Sequence, residues 1–255
     1  MLTPVDIRHM KPTVIWESAP SQLHLVDHEV HVWRADLDLP AKQVSKLLSF
    51  LDNAEQGRAE RFIFDRDRTR FAVARSILRL LVARYLNTSA NTIEFKYGPQ
   101  GKPALTPDSP LRFNLAHSDR VALYAFSLDR DLGIDVESQR RFAHLHNREI
   151  VQSHFSQKEQ EEFYSLDPEL QESAFYLGWT RKEAYLKARG EGLQISLQSF
   201  DVSLDPEGPA ILRSHDAAHW ELHSFDPEPD FAAALVVEGA NCKLRYWEWP
   251  HSSEI

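Results

Sequence analysis

Two short stretches hold the residue types that chemistry needs: LGIDVES at 132–138 and WTRKEAYLKARGEGL at 179–193. In an extended chain, residues two apart point the same way, about 6–7 Å apart. Asp135 and Glu137 therefore share one face of a strand, with Ile134 and Val136 on the other. Two like charges so placed are either screened by water or gathered around a hard cation, which prefers oxygen ligands. In the second stretch, Glu183 and Lys187 lie four apart and are neighbours on a helix. Gly190 and Gly192 then mark its end, with Lys187 and Arg189 suited to the negative pole of its last turn. Singly, each motif has a plain structural use, as a solvated strand face or an ordinary helical ion pair. Their occurrence together, rather than either pattern alone, is what raises the question of shared chemistry.

The elements that must position them repeat. HLVDHEVHVWRADLD (24–38) alternates like a strand, and helical spacing follows at 41–51 and 53–63. The strongest helix is 67–87, where Phe71, Ala74, Ile77, Leu78, Leu81, Val82 and Tyr85 recur at three and four. Residues 92–98, 112–118 and 121–127 read as strands, with a turn at PQGKPAL. The second half runs in the same order. LGIDVE is a strand; REIVQSHF, SQKEQEEFYSL and ESAFYLGWTRKEAYLKAR are helices; SFDVSLD, HWELHSF, FAAALVV and KLRYWEW close as strands. NAEQGRAERF (53–62) is echoed by SQKEQEEF (156–163), each before a long helix. The expected fold is α+β: two similar halves, 1–128 and 129–255, related by a pseudo-twofold axis. Each half has a long helix packed on a mainly antiparallel sheet.

Taken as a pair, LGIDVES and WTRKEAYLKARGEGL resemble the two-part signature of the 4′-phosphopantetheinyl transferases, G-[IV]-D-x-E and W-[ST]-x-K-E-[AS]-x-x-K-x-x-G-x-G-L. Every signature position is filled. Length and internal duplication resemble the monomeric, pseudo-dimeric branch rather than the short form that assembles as a trimer. The resemblance implies transfer of the 4′-phosphopantetheine arm of coenzyme A to a serine of an apo acyl or peptidyl carrier protein, leaving 3′,5′-ADP. It implies Mg²⁺, or Mn²⁺, on Asp135, Glu137 and Glu183. Glu183 is the first candidate for the base that activates the serine, with Glu137 second. Lys187 is expected to neutralise the departing diphosphate or supply its proton.

On the coenzyme side, RFNLAHS resembles the family's F-N-x-S-H-S, with Ala116 in place of the more usual serine. His117 is implied as a phosphate contact, with Ser118 assisting and Lys102 of the GKP turn beside it. Residues 58–84 hold eight arginines against three carboxylates. The family recognises the 3′-phosphate and adenine there, and Arg61 and Arg75 are the favoured contacts of that basic segment. Arginine suits such bidentate contacts. The Arg-, His- and Phe-rich segment 140–155 is the expected docking region for the carrier.

Composition bounds the rest. The 255 residues carry a net charge of −9, which disfavours a nucleic-acid partner. The one cysteine, Cys242, forbids an intrachain disulfide and fits a reducing, cytoplasmic setting. No apolar run suggests a signal peptide or membrane span. His215, His219 and His223 are spaced by four, but their strand-like context and the lack of HExxH argue against zinc. No P-loop or dinucleotide-binding glycine pattern is present. The alternative, a non-catalytic binding module derived from such a transferase, conflicts with the intact acidic and lysine positions.

Overall fold

The computed structural model describes residues 14–98, 101–105, 109–140, 144–190 and 195–250, and for 144–146 the backbone alone. In chain order the elements are β1 (Glu17–Ser18), β2 (Glu29–Asp36), α1 (Ala41–Leu48), α2 (Asn53–Ala59), α3 (Asp65–Leu86), β3 (Lys96–Tyr97), β4 (Pro103–Ala104), β5 (Leu111–Ser118) and β6 (Val121–Leu128). There follow β7 (Leu132–Ser138), α4 (His144–His154), α5 (Gln157–Ser165), α6 (Pro168–Arg189), β8 (Asp201–Val202), β9 (Leu212–Arg213), β10 (Trp220–Phe225), β11 (Phe231–Glu238) and β12 (Lys243–Glu248).

The fold is α+β, and its halves repeat in strand order as well as in sequence. The first half pairs β2 with β6 and β6 with β5; the second pairs β7 with β11 and β11 with β10, all antiparallel. The echoed short helices repeat too. Asp52 and Glu55 form a capping box on α2, and Ser156 and Glu159 form one on α5. Each box glutamate is buried and binds a cation on the following long helix. Glu55 takes Arg75 and Arg79; Glu159 takes Lys182 at 2.7 Å. Arg79 and Lys182 are both the fifteenth residue of a 22-residue helix.

One expectation needs correction. KLRYWEW does not close the second half's sheet. Its strand β12 runs parallel to β2 in the first half's sheet, whose order is β1-β12-β2-β6-β5. The aromatic residues explain the choice. Trp247 and Trp249 pack against Trp33 in the core beneath α3, a better cover for bulky rings than a solvated edge beside β10. The TIEFKYG strand is also shorter than its pattern suggests, being reduced to Lys96–Tyr97 after a 3₁₀ turn at Ala90–Thr92.

Three cores result. One lies between α3 and the first sheet, one between α6 and the second, and one between the two sheets. β7 is buried along its whole length. Leu132, Ile134 and Val136 enter the inter-sheet core, while Asp135 and Glu137 sit opposite Ala234 and Ala232, on the side that faces α6. α6 itself starts with Pro168 and ends at Gly190, whose φ of 67° is left-handed and suits glycine. No helix among the described residues is long and apolar enough to cross a membrane.

Lys182 is fully buried; besides Glu159 it donates to the Phe200 carbonyl at 2.8 Å. Lys182→Met would leave Glu159 as an unpaired buried charge. A loss of about 3–5 kcal/mol is expected in urea unfolding; a loss below about 1 kcal/mol would contradict this account of how α6 is anchored.

Candidate active site

The signature glycine brings the site together. At Gly133 a built Cβ would lie 2.2 Å from the Ala184 carbonyl oxygen and 2.3 Å from the Ala188 nitrogen. Only a residue without Cβ lets β7 lie directly on the last turns of α6. Asp135, two residues on, then meets Lys187: the ammonium is 2.6 Å from Oδ1 and 3.3 Å from the Ile134 carbonyl. Lys187 thus reaches across to the strand, where the sequence pattern had offered an ion pair with Glu183 along its own helix.

The other oxygen of Asp135, Oδ2, is buried and has no hydrogen-bond partner among the described residues. Burial first, then Glu137 and Glu183, push this carboxyl up to about 7 against the pull of Lys187. Glu183 is raised as well, by burial and by Glu137, against Lys187 and His154. Burial pulls Lys187 down, but Asp135, then Glu183 and Glu137, more than reverse this and raise it. Two carboxyls held above their usual range with an orphaned oxygen describe a place that favours additional positive charge. Among the described residues, no three His, Cys, Asp or Glu side chains enclose a metal position by themselves. Mg²⁺ does not need such a cage, because it keeps waters and takes substrate phosphate oxygens beside one or two carboxylates. The orphaned Oδ2 is the feature that fits it.

Glu183 and Lys187 line a cavity of about 490 Å³, together with Lys102, Asn114, His117 and Arg75. It runs along the seam between the halves. There β5 and β7 lie side by side but belong to different sheets, bridged by side chains. Ile134 N–H donates to Asn114 Oδ1 at 2.9 Å, and Ser138 N–H donates to Ser118 Oγ at 3.1 Å. These two bridges bracket Asp135 and Glu137. Ser118 is almost fully buried and donates its own hydroxyl to Glu137 Oε2 at 2.7 Å. Its visible work is to orient that carboxylate.

The residues expected to meet the coenzyme separate. His117 is exposed at the end of β5, between the main cavity and a second of about 430 Å³ that Ser118 and Arg70 also line. Lys102 spans the seam, donating to the carbonyls of Leu132 (3.1 Å) and Lys187 (2.5 Å), and burial lowers it to about 8. Arg75 borders the main cavity but is tied to Glu55 at 2.8 Å and to the Tyr97 hydroxyl at 2.7 Å. Arg61 is exposed, bonds the Gly57 carbonyl at 3.3 Å and does not line the cavity. Arg58, one turn earlier, does; its guanidinium lies 5.3 Å from the Phe71 ring centre. Sequence spacing alone had no means of ranking these arginines, because the choice depends on how the last turn of α2 and the residues after it meet the cleft. In the proposed docking segment, Arg140 is exposed and pairs with Asp230, and α4 follows; residues 141–143 lie outside the described residues, as do Pro99, Gln100, Gly192 and Leu193.

The family model for the 4′-phosphopantetheinyl transferase superfamily matches residues 131–236, and that for the 4′-phosphopantetheinyl transferase N-terminal region matches 39–128. The 4′-phosphopantetheinyl transferase HetI of Nostoc sp. is 36% identical over 237 residues, 92% of this chain and 98% of that protein. The chain belongs to the 4′-phosphopantetheinyl transferase superfamily. The transferase Sfp of Bacillus subtilis is 28% identical over 215 residues, 79% of this chain and 93% of its own. The solved holo-(acyl-carrier-protein) synthase of Bacillus anthracis, in complex with CoA (3′,5′-ADP), is 25% identical. It covers 42% of this chain and 94% of its own, with a TM-score of 0.34. The two family matches meet at the link between β6 and β7, so this transferase carries LGIDVES at the start of its second matched region.

Proposed function

We propose that this transferase moves the 4′-phosphopantetheine arm of coenzyme A to a serine hydroxyl of an apo acyl or peptidyl carrier protein. The serine oxygen bonds to the pantetheine-side phosphorus as the phosphorus–oxygen bond to 3′,5′-ADP breaks. The observation that carries this reading is the meeting of Asp135, with its orphaned Oδ2, and Lys187 beside the cavity that Glu183 lines.

Asp135, Glu137 and Glu183 would hold Mg²⁺, with Mn²⁺ as a substitute. When bound, the ion supplies charge that neutralises the diphosphate. The protein's own groups do the rest. Lys187, held protonated by its acidic neighbours, acts as a fixed positive charge beside the leaving diphosphate. Glu183, on the cavity wall, is the first candidate to accept the serine's proton, with Glu137 the second. Ser118 keeps Glu137 turned to the same region. His117, Lys102, Arg58 and Arg75 offer donors to the coenzyme's phosphates from the cavity wall. In this reading the first half, 1–128, supplies the coenzyme contacts and the second, 129–255, the metal and catalytic groups. The enzyme works as a cytoplasmic monomer.

The direct test incubates the protein with coenzyme A, Mg²⁺ and an apo carrier, then weighs the carrier by mass spectrometry. A gain of the phosphopantetheine mass is expected. Coenzyme A binding without that gain would instead identify a non-catalytic module.

A further inference from the structure

We propose that Asn114 is a binding residue of the cleft, donating its side-chain amide to the diphosphate of coenzyme A; this rests on the coenzyme A reading above. Asn114 is 5% exposed on β5, between the apolar Phe113 and Leu115. A polar group buried that deeply is destabilising unless hydrogen-bonded. One end is accounted for: Oδ1 accepts the Ile134 N–H at 2.9 Å. That bond settles which end of the amide faces β7, because a backbone N–H requires an acceptor. The NH₂ end therefore points away from the strand. Nδ2 makes no hydrogen bond to any described residue and is not sealed off as a buried orphan. Asn114 lines the main cavity, the side left to its NH₂ once Oδ1 is turned to β7.

The company at that wall selects the ligand's charge. Lys102, His117, Lys187 and Arg58 border the same space. A neutral amide adds no charge to that field. It adds direction, since its planar NH₂ is held rigidly by the bond to β7. The same bond fixes the amide that immediately precedes Asp135, so one side chain sets both the acidic segment and a donor to the phosphates.

The test is titration calorimetry with coenzyme A and Mg²⁺ on the full chain. Asn114→Asp keeps an acceptor for Ile134 N–H and replaces the donor by an anionic oxygen. Its Kd for coenzyme A is expected to rise at least about 10-fold, from the lost hydrogen bond to a charged acceptor and the repulsion of the new carboxylate, and its thermal midpoint to fall by the cost of burying that charge. Asn114→Ala loses both bonds, so its midpoint and kcat should fall together with affinity. A Kd within twofold of wild type in Asn114→Asp would overturn the proposal. Should that variant fail to fold, the side-chain amide resonance of Asn114 in ¹⁵N-labelled wild type decides. A clear shift on saturation with coenzyme A supports the donor role, and an unmoved resonance overturns it. Failure of wild type itself to bind coenzyme A would count against the transferase reading instead.

Discussion

Gly133→Ala is expected to lower transfer at least a hundredfold and to destabilise the fold by about 2–4 kcal/mol. The new methyl would fall 2.2 Å and 2.3 Å from backbone atoms of Ala184 and Ala188, and backbone inside a helix has no rotamer with which to step aside. Either β7 or α6 must shift by about an ångström, and displacements of that size at a reacting centre cost on the order of a hundredfold. The Lys187–Asp135 contact at 2.6 Å and the two carbonyl bonds of Lys102 all cross this seam and would lengthen together. Gly57→Ala is the control. It sits in α2 with open space around it, so alanine should be neutral or stabilising there by up to about 1 kcal/mol. Urea midpoints and kcat/KM for both variants test the claim. Wild-type stability in Gly133→Ala would refute the packing argument.

Asp135→Asn should give the opposite profile: transfer reduced at least a thousandfold with the fold intact. Asparagine matches the carboxylate in shape but offers an N–H where one oxygen stood, so it is a poor ligand for a hard cation. Turnover within tenfold of wild type would remove Asp135 from the chemistry. Stability should respond through pH. The folded-state value of about 7 lies above the ordinary carboxylate value near 4. Between those values the native protein binds a proton that the unfolded chain has released. The group's contribution to stability is therefore greatest at low pH and fades as pH rises through that window. The variant does not titrate. With divalent metal removed, wild type should lose stability relative to Asp135→Asn on going from pH 5 to pH 8, as read by thermal unfolding. A constant difference would show that Lys187 cancels the burial penalty entirely.

Much of the site was legible before any coordinates. Alternation in LGIDVES put Asp135 and Glu137 on one face, and they do share the side toward α6. The echo between 53–62 and 156–163 extended further than spelling, to matched capping boxes and buried glutamate–cation pairs. Ser118 and Arg75 show the limit. Each borders a cavity as expected, yet its side chain is held by Glu137 or Glu55, partners 19 and 20 residues away. Periodicity reports which face a residue occupies on its own element. It holds no information on what another element presents opposite.

By itself, the sequence determined the family resemblance, the α+β class, the duplicated order of elements and the acidic and lysine groups proposed for the chemistry. The class and the order of elements follow from local periodicity and capping, and the family and its site groups from resemblance to a known two-part signature; all are carried by neighbouring residues. Tertiary structure alone decided that β12 returns to the first sheet and that Lys187 pairs with Asp135 rather than along its own helix. It also decided that Asn114 and Ser118 stitch the seam and that Arg58, not Arg61, reaches the cleft. Each of those outcomes depends on the distance between surfaces that are far apart in the chain, and that distance is set only when the three cores close.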